Sequence, residues 1–219
     1  MSGFRFLNTS FLAALAVQPA LFLLRSVPWV VVIRPLPLLA LAAGVARVVP
    51  LRRSWPVAAA LALGGAGDVA MTLRHRFPTT TPLLAGMGLF FLGHLAYSVV
   101  FLRERAYRPA RAFWAAAFVA VSLGAAALML PRLGPLAAPV AVYAAGLTAM
   151  TALAALRGSP RPTVLAGAAL FFLSDVLIGA RLATPAVPVA LVALVLPAYY
   201  LGQYWIARGW ARDASSHAA

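Results

Sequence analysis

The sequence predicts an all-α, polytopic membrane protein with about eight transmembrane helices. Three observations predict it. Of 219 residues, 63% are hydrophobic and only 10% charged, and the mean hydropathy is +0.92. A soluble domain of this length needs a far more polar surface. The apolar residues also gather into runs close to the ~20 residues that cross a bilayer as a helix. Finally, short clusters of Pro, Gly and Arg part these runs, with no long polar linker between them.

Eight runs qualify, at about 9–25, 29–48, 56–73, 82–102, 111–130, 134–156, 162–181 and 186–207. The breaks fall at Pro28, Pro50–Pro56, Arg74–Pro82, Arg103–Arg111, Pro131–Pro135, Gly158–Pro162 and Thr184–Pro188. The first run leads straight into further spans, so it reads as an uncleaved first helix and not as a signal peptide. Arg25 and Arg34 crowd the junction of the first two spans. Residues 1–219 are therefore read as a single transmembrane domain.

The formal net charge of +14 comes from 18 basic residues, all of them Arg. A nucleic-acid surface would carry them as a face or stripe. Here they sit between apolar runs, as in "RVVPLRRSW" and "LRERAYRPAR", the pattern of membrane loops beside anionic lipid. With eight spans, the N-terminus, the even-numbered loops and the C-terminus share one side, which carries twelve Arg against six on the other. The positive-inside rule then places both termini in the cytoplasm and the chain in the cell's inner membrane. There is no Cys, and three His and four acids are too few to suggest a metal cluster.

Two of the four acids, Asp68 and Asp175, lie within apolar runs, "LALGGAGDVAMTL" and "LAGAALFFLSDVLIGA". They are 107 residues apart, and "FFLGH" at 90–94 lies 109 residues before "YYLGQ" at 199–203. Each acid is followed, one helix later, by an aromatic pair, a Gly and a polar side chain. Two parallel four-helix halves would give this pattern, and so would a chance match.

Ionisable groups inside spans usually face the bundle interior or a wet cavity, and they point to function. These are Asp68, His94, Asp175 and Arg34, joined by the polar Tyr97, Ser174, Tyr199, Tyr200 and Gln203. Each acid lies roughly 13 residues into its span, which is ~18–20 Å at ~1.5 Å per residue. Both acids are thus expected at one depth, slightly toward the outer leaflet, with His94 and Tyr199 near the midplane. His94 and Tyr97 share a helix face, as do Tyr199 and Gln203. His94 alone reads more readily as a hydrogen-bonded core residue. Gly64, Gly65, Gly67, Gly167, Ala168 and Ala169 serve close packing or leave room for a ligand chain. Arg34 has three readings: snorkelling, holding a lipid phosphate, or neutralising an Asp. Glu104 and Asp213 are expected in water.

Two neighbouring carboxylates withdrawn from water can divide their work, one holding a proton while the other stays ionised. That division supports general acid and base chemistry through an oxocarbenium ion. A small proton-coupled transporter, or a non-enzymatic lipid-binding membrane protein, is the alternative reading of the same residues.

"RPLPLLALA" at 34–42, "GAGDVAMTL" at 65–73, "FFLGHLAYSVVF" at 90–101, "GAALFFLSDVLIG" at 167–179 and "YYLGQYWIARG" at 199–209 resemble, in order and spacing, the YhhN-like lysoplasmalogenase family. The resemblance implies an eight-helix membrane hydrolase that cleaves the vinyl ether bond of a lysophospholipid. The products would be a fatty aldehyde and glycerophospho-ethanolamine or -choline. It implies Asp68 and Asp175 as the catalytic pair and requires no metal or redox cofactor. The basic residue that opens the family's second helix is commonly Lys, and Arg34 keeps that charge. Membrane lipids are the expected partners, and no nucleic acid is.

Overall fold

In the computed structural model, the residues described are 2–18, 27–74, 76–77, 79–104, 109–159, 161–184 and 186–216. They form α-helices joined by turns: α1 (Ser2–Ala16), α2 (Val27–Ile33), α3 (Leu36–Val48), α4 (Leu51–Leu73), α5 (Thr81–Arg103), α6 (Pro109–Met129), α7 (Ala137–Ala155), α8 (Thr163–Ala183), α9 (Val189–Ala193) and α10 (Val195–Ser216). Seven helical stretches among the described residues are long and apolar enough to cross a membrane. The chain is an all-α, multi-pass membrane protein. The predicted first span, 9–25, is helical as far as Ala16, and its part at 19–25 lies outside the described residues.

Two boundaries differ from expectation for reasons of proline chemistry. The span at 29–48 is not continuous: α2 ends at Ile33, Arg34 and Pro35 turn, and α3 begins at Leu36. Pro35 has no N–H to give the carbonyl of Val31, and its ring crowds that carbonyl. The last span is broken in the same way at Leu194, three residues before Pro197, and α10 then runs on to Ser216. By contrast, Pro56 is accommodated inside α4, which begins at Leu51. The amides of Arg53 and Ser54 close this helix onto the Pro50 carbonyl at 2.9 and 3.1 Å.

The chain divides into two compact units, one of residues 1–97 with 207–219, the other of residues 98–206. In the first, α1 packs on α3 and α3 on α4. Gly44 makes the α1–α3 crossing possible, since a Cβ there would lie 2.8 Å from Leu7 Cβ. Arg47 stacks over the Phe6 ring at 3.8 Å. In the second unit, α6, α7 and α8 pack on one another. Gly134, at φ +52° between α6 and α7, supplies the left-handed turn that other residues rarely adopt. α6 leaves Phe113, Val119, Val121, Leu123 and Leu128 exposed. Such a face is stable against acyl chains, where a helix satisfies its own backbone polar groups.

The repeated sequence pattern is also a repeated packing pattern. In the first unit, a Cβ on Gly93 would lie 3.2 Å from the carbonyl of Ala60, eight residues before Asp68. In the second, a Cβ on Gly202 would lie 2.8 Å from the carbonyl of Gly167, eight residues before Asp175. Within each unit the same register brings the aromatic–aromatic–Leu–Gly helix against the acid-bearing helix.

Candidate active site

Asp175 is the best-defined polar centre of the second unit. It lies on α8, twelve positions after Thr163, and is half-buried. Tyr143 of α7 donates its hydroxyl to Asp175 Oδ2 at 2.6 Å. Ser174 Oγ stands 3.5 Å from Asp175 Oδ1 and donates at 2.7 Å to the Phe171 carbonyl. Tyr143 thus fixes one carboxylate oxygen. Ser174 Oγ is the neighbour of the other, at 3.5 Å.

The α8–α10 seam sets what stands beside this carboxylate. At Gly167 a Cβ would lie 2.7 Å from the Gly202 carbonyl and 2.7 Å from the Ile206 amide. Glycine alone permits so close an approach of two backbones. One turn nearer Asp175, Phe171 meets Tyr199 edge-on, with ring centroids 5.4 Å apart, and Tyr199 meets Tyr200 at 5.0 Å. Gln203 is buried and follows Gly202, whose Cβ position faces Gly167 and Phe171. These lie one to two helical turns from Asp175, roughly 6–12 Å along the axis. Tyr143 and Ser174 thus stand at Asp175, while Tyr199 packs on Phe171, four residues earlier on α8, and Gln203 follows the seam glycine.

Asp68 is buried in the first unit, on α4, and its carbonyl accepts the Thr72 hydroxyl at 2.7 Å. A Cβ on Gly65, three residues earlier, would lie 3.2 Å from Pro35 Cβ. The face that carries Asp68 is thus the face set against the Arg34–Pro35 break. Arg34 is half-buried there. Opposite Gly67 stands Phe90, whose ring would be 3.0 Å from an added Cβ. His94 and Tyr97 are fully buried on α5. His94 follows Gly93, which is level with Ala60 and Leu63, so it lies one to two turns from Asp68, roughly 8–12 Å along the axis. Phe90 meets α4 next to Asp68.

The family comparison decides what kind of chain this is. The model of the YhhN family matches residues 29–210. The chain belongs to the YhhN family. No curated protein and no solved structure matches it. The YhhN match spans both acids and every polar residue singled out from the sequence, Arg34 through Gln203.

Tyr143 had escaped the sequence reading. It is a single hydroxyl in the run "APVAVYAAGLTAM", 32 positions from the acid it bonds. Its one sequence signal is to be the only aromatic hydroxyl of its span. Two expectations of solvation are corrected. Asp213 is buried, since α10 extends beyond the predicted span. Glu104 accepts two hydrogen bonds from Arg157, from Nε at 2.8 Å and Nη2 at 2.6 Å. His75 and His217 lie outside the described residues.

Proposed function

We propose that the chain is a lysoplasmalogenase-type hydrolase, which cleaves the vinyl ether bond of a lysophospholipid in the inner membrane with both termini cytoplasmic. YhhN membership over residues 29–210 supports the reaction class. The observation that carries the chemistry is the oriented carboxyl group of Asp175. A vinyl ether hydrolyses by protonation at its β-carbon, which leaves an oxocarbenium ion at the carbon bearing oxygen. Water adds there and gives up a proton, and the hemiacetal collapses to aldehyde and alcohol.

We assign the acid step to Asp175 and the base step to Asp68. In the acid form, Asp175 accepts from Tyr143 at Oδ2 and its carboxyl group gives the proton that the β-carbon takes. An ionised Asp68 stabilises the cation and accepts the proton of the attacking water. Arg34 is the proposed partner of the lipid phosphate. Tyr199 and Tyr200 orient the reacting group, and His94, Tyr97, Ser174 and Gln203 support the two acids.

The test is aldehyde release by the purified chain in mild detergent from 1-alkenyl lysophosphoethanolamine, with the 1-acyl lysolipid as control. Wild type should release aldehyde from the alkenyl lipid alone. Asp68→Asn and Asp175→Asn should each lose about 10²-fold or more, the usual range for a positioned acid or base. No aldehyde from folded wild type would overturn the reading.

A further inference from the structure

At one end of the second unit, the start of α6, the end of α7 and the start of α8 enclose a cleft of about 180 Å³. This is several times the ~30 Å³ that one water molecule occupies in the liquid. Arg111, Arg157 and Arg161 line it, together with Trp114 and the apolar Val164 and Leu165, and no acid does. The cleft is built, not incidental. Arg157 is 3% exposed and is anchored by Glu104 at 2.6 Å. Its guanidinium lies 5.5 Å from the centre of the Phe101 ring. Arg111 donates to the carbonyls of Arg157 and Ser159, which holds the α7–α8 connection in place. The amide of Gly158 donates to the Glu104 carbonyl at 2.8 Å, tying the end of α5 to the same connection.

Three guanidinium groups around one cavity, with a single carboxylate behind them, leave an excess of two positive charges. Arg forks match phosphate geometry. The first amides of α8 add donors of the same sense, since the first turn of a helix lacks intrahelical acceptors. Trp114 lies five residues into α6, about 7 Å at ~1.5 Å per residue. It is half exposed, as aromatic residues at a membrane–water boundary are.

We infer that this cleft is a phosphate-binding site at the membrane surface, filled by a lipid phosphate or by free phosphate. It is a site separate from Asp175. Thr163, at the cleft end of α8, is twelve residues from Asp175, or about 18 Å along the axis. Six bonds join the phosphorus of a lysoplasmalogen to its vinyl ether carbon, under about 9 Å even at ~1.5 Å per bond. The separation along α8 thus exceeds that between the phosphate and the vinyl ether of one substrate molecule. The inference therefore does not rest on the proposed hydrolysis, and its test does not use it.

The experiment is native mass spectrometry of the full chain in detergent. It is titrated with phosphatidic acid and with diacylglycerol of the same chains, which lacks only the phosphate. Wild type should bind phosphatidic acid about tenfold more tightly. Arg161→Gln, at an exposed position, should remove most of that preference. Arg132→Gln, at an exposed arginine outside the cleft, should keep it. Displacement of the lipid by inorganic phosphate identifies the free ion as a sufficient ligand, and failure of displacement identifies the lipid as the occupant; both support the site. Equal binding of the two lipids, or full preference retained in Arg161→Gln, would overturn it.

Discussion

Tyr143 holds Asp175: its hydroxyl lies 2.6 Å from Oδ2, across the α7–α8 contact. This bond orients the carboxyl group through one of its two oxygens. Tyr143→Phe keeps the ring and removes the bond. A hydrogen bond to an ionisable group contributes about 1.5–3 kcal/mol, so aldehyde release should fall about tenfold to a hundredfold. The loss should appear in kcat more than in KM. Unchanged kcat would remove Tyr143 from the site.

The equivalent crossings in the two units make a graded prediction about glycine. At Gly202 an added Cβ would meet backbone on α8, at 2.8 Å from Gly167 O and 2.9 Å from Phe171 N. At Gly93 it would meet Ala60 O at 3.2 Å. At Gly124 nothing lies within 4 Å. Gly202→Ala should therefore cost about 1–3 kcal/mol, the usual cost of overpacking. Gly93→Ala should cost less, and Gly124→Ala should be neutral or slightly stabilising because it adds helix propensity. Thermal unfolding in detergent gives the order. A Gly202→Ala variant as stable as Gly124→Ala would contradict the seam.

His94 and Gln203 occupy corresponding places, each next to the crossing glycine of its unit and each buried. One titrates and the other does not. If the position serves packing and hydrogen bonding, His94→Gln should fold with a loss under about 1.5 kcal/mol and keep hydrolysis within tenfold. His94→Leu, which removes every polar atom, should cost about 1–3 kcal/mol by stranding the groups that faced it. A stable His94→Gln chain without activity would instead give the imidazole a role in proton transfer.

The spans were legible because a bilayer demands long apolar runs, and such runs survive any detail of packing. The Arg34–Pro35 break was not, because proline is tolerated in membrane helices whenever neighbours satisfy the backbone it frees. The decisive fact there is tertiary: Pro35 packs on Gly65. The two acids stood out because carboxylates in apolar runs are costly. Tyr143 did not, since a tyrosine is at home in a span and its partner lies on another helix. Glu104 looked like one charge in a basic loop until the fold brought Arg157 beside it. Periodicity shows what a helix is made of; the contact that turns a polar side chain into part of a site comes from a different helix.

The backbone contact between α8 and α10 also bears on how a lipid tail could travel. Where Gly167 and Gly202 touch, and where Phe171 and Tyr199 close the next turn, there is no gap for an acyl chain to slide through. On the proposed hydrolase reading, a substrate that approaches Asp175 along the flank facing α7 meets Tyr143 beside the carboxylate. The residue that orients the acid would then also be a doorkeeper, touched by each tail that passes.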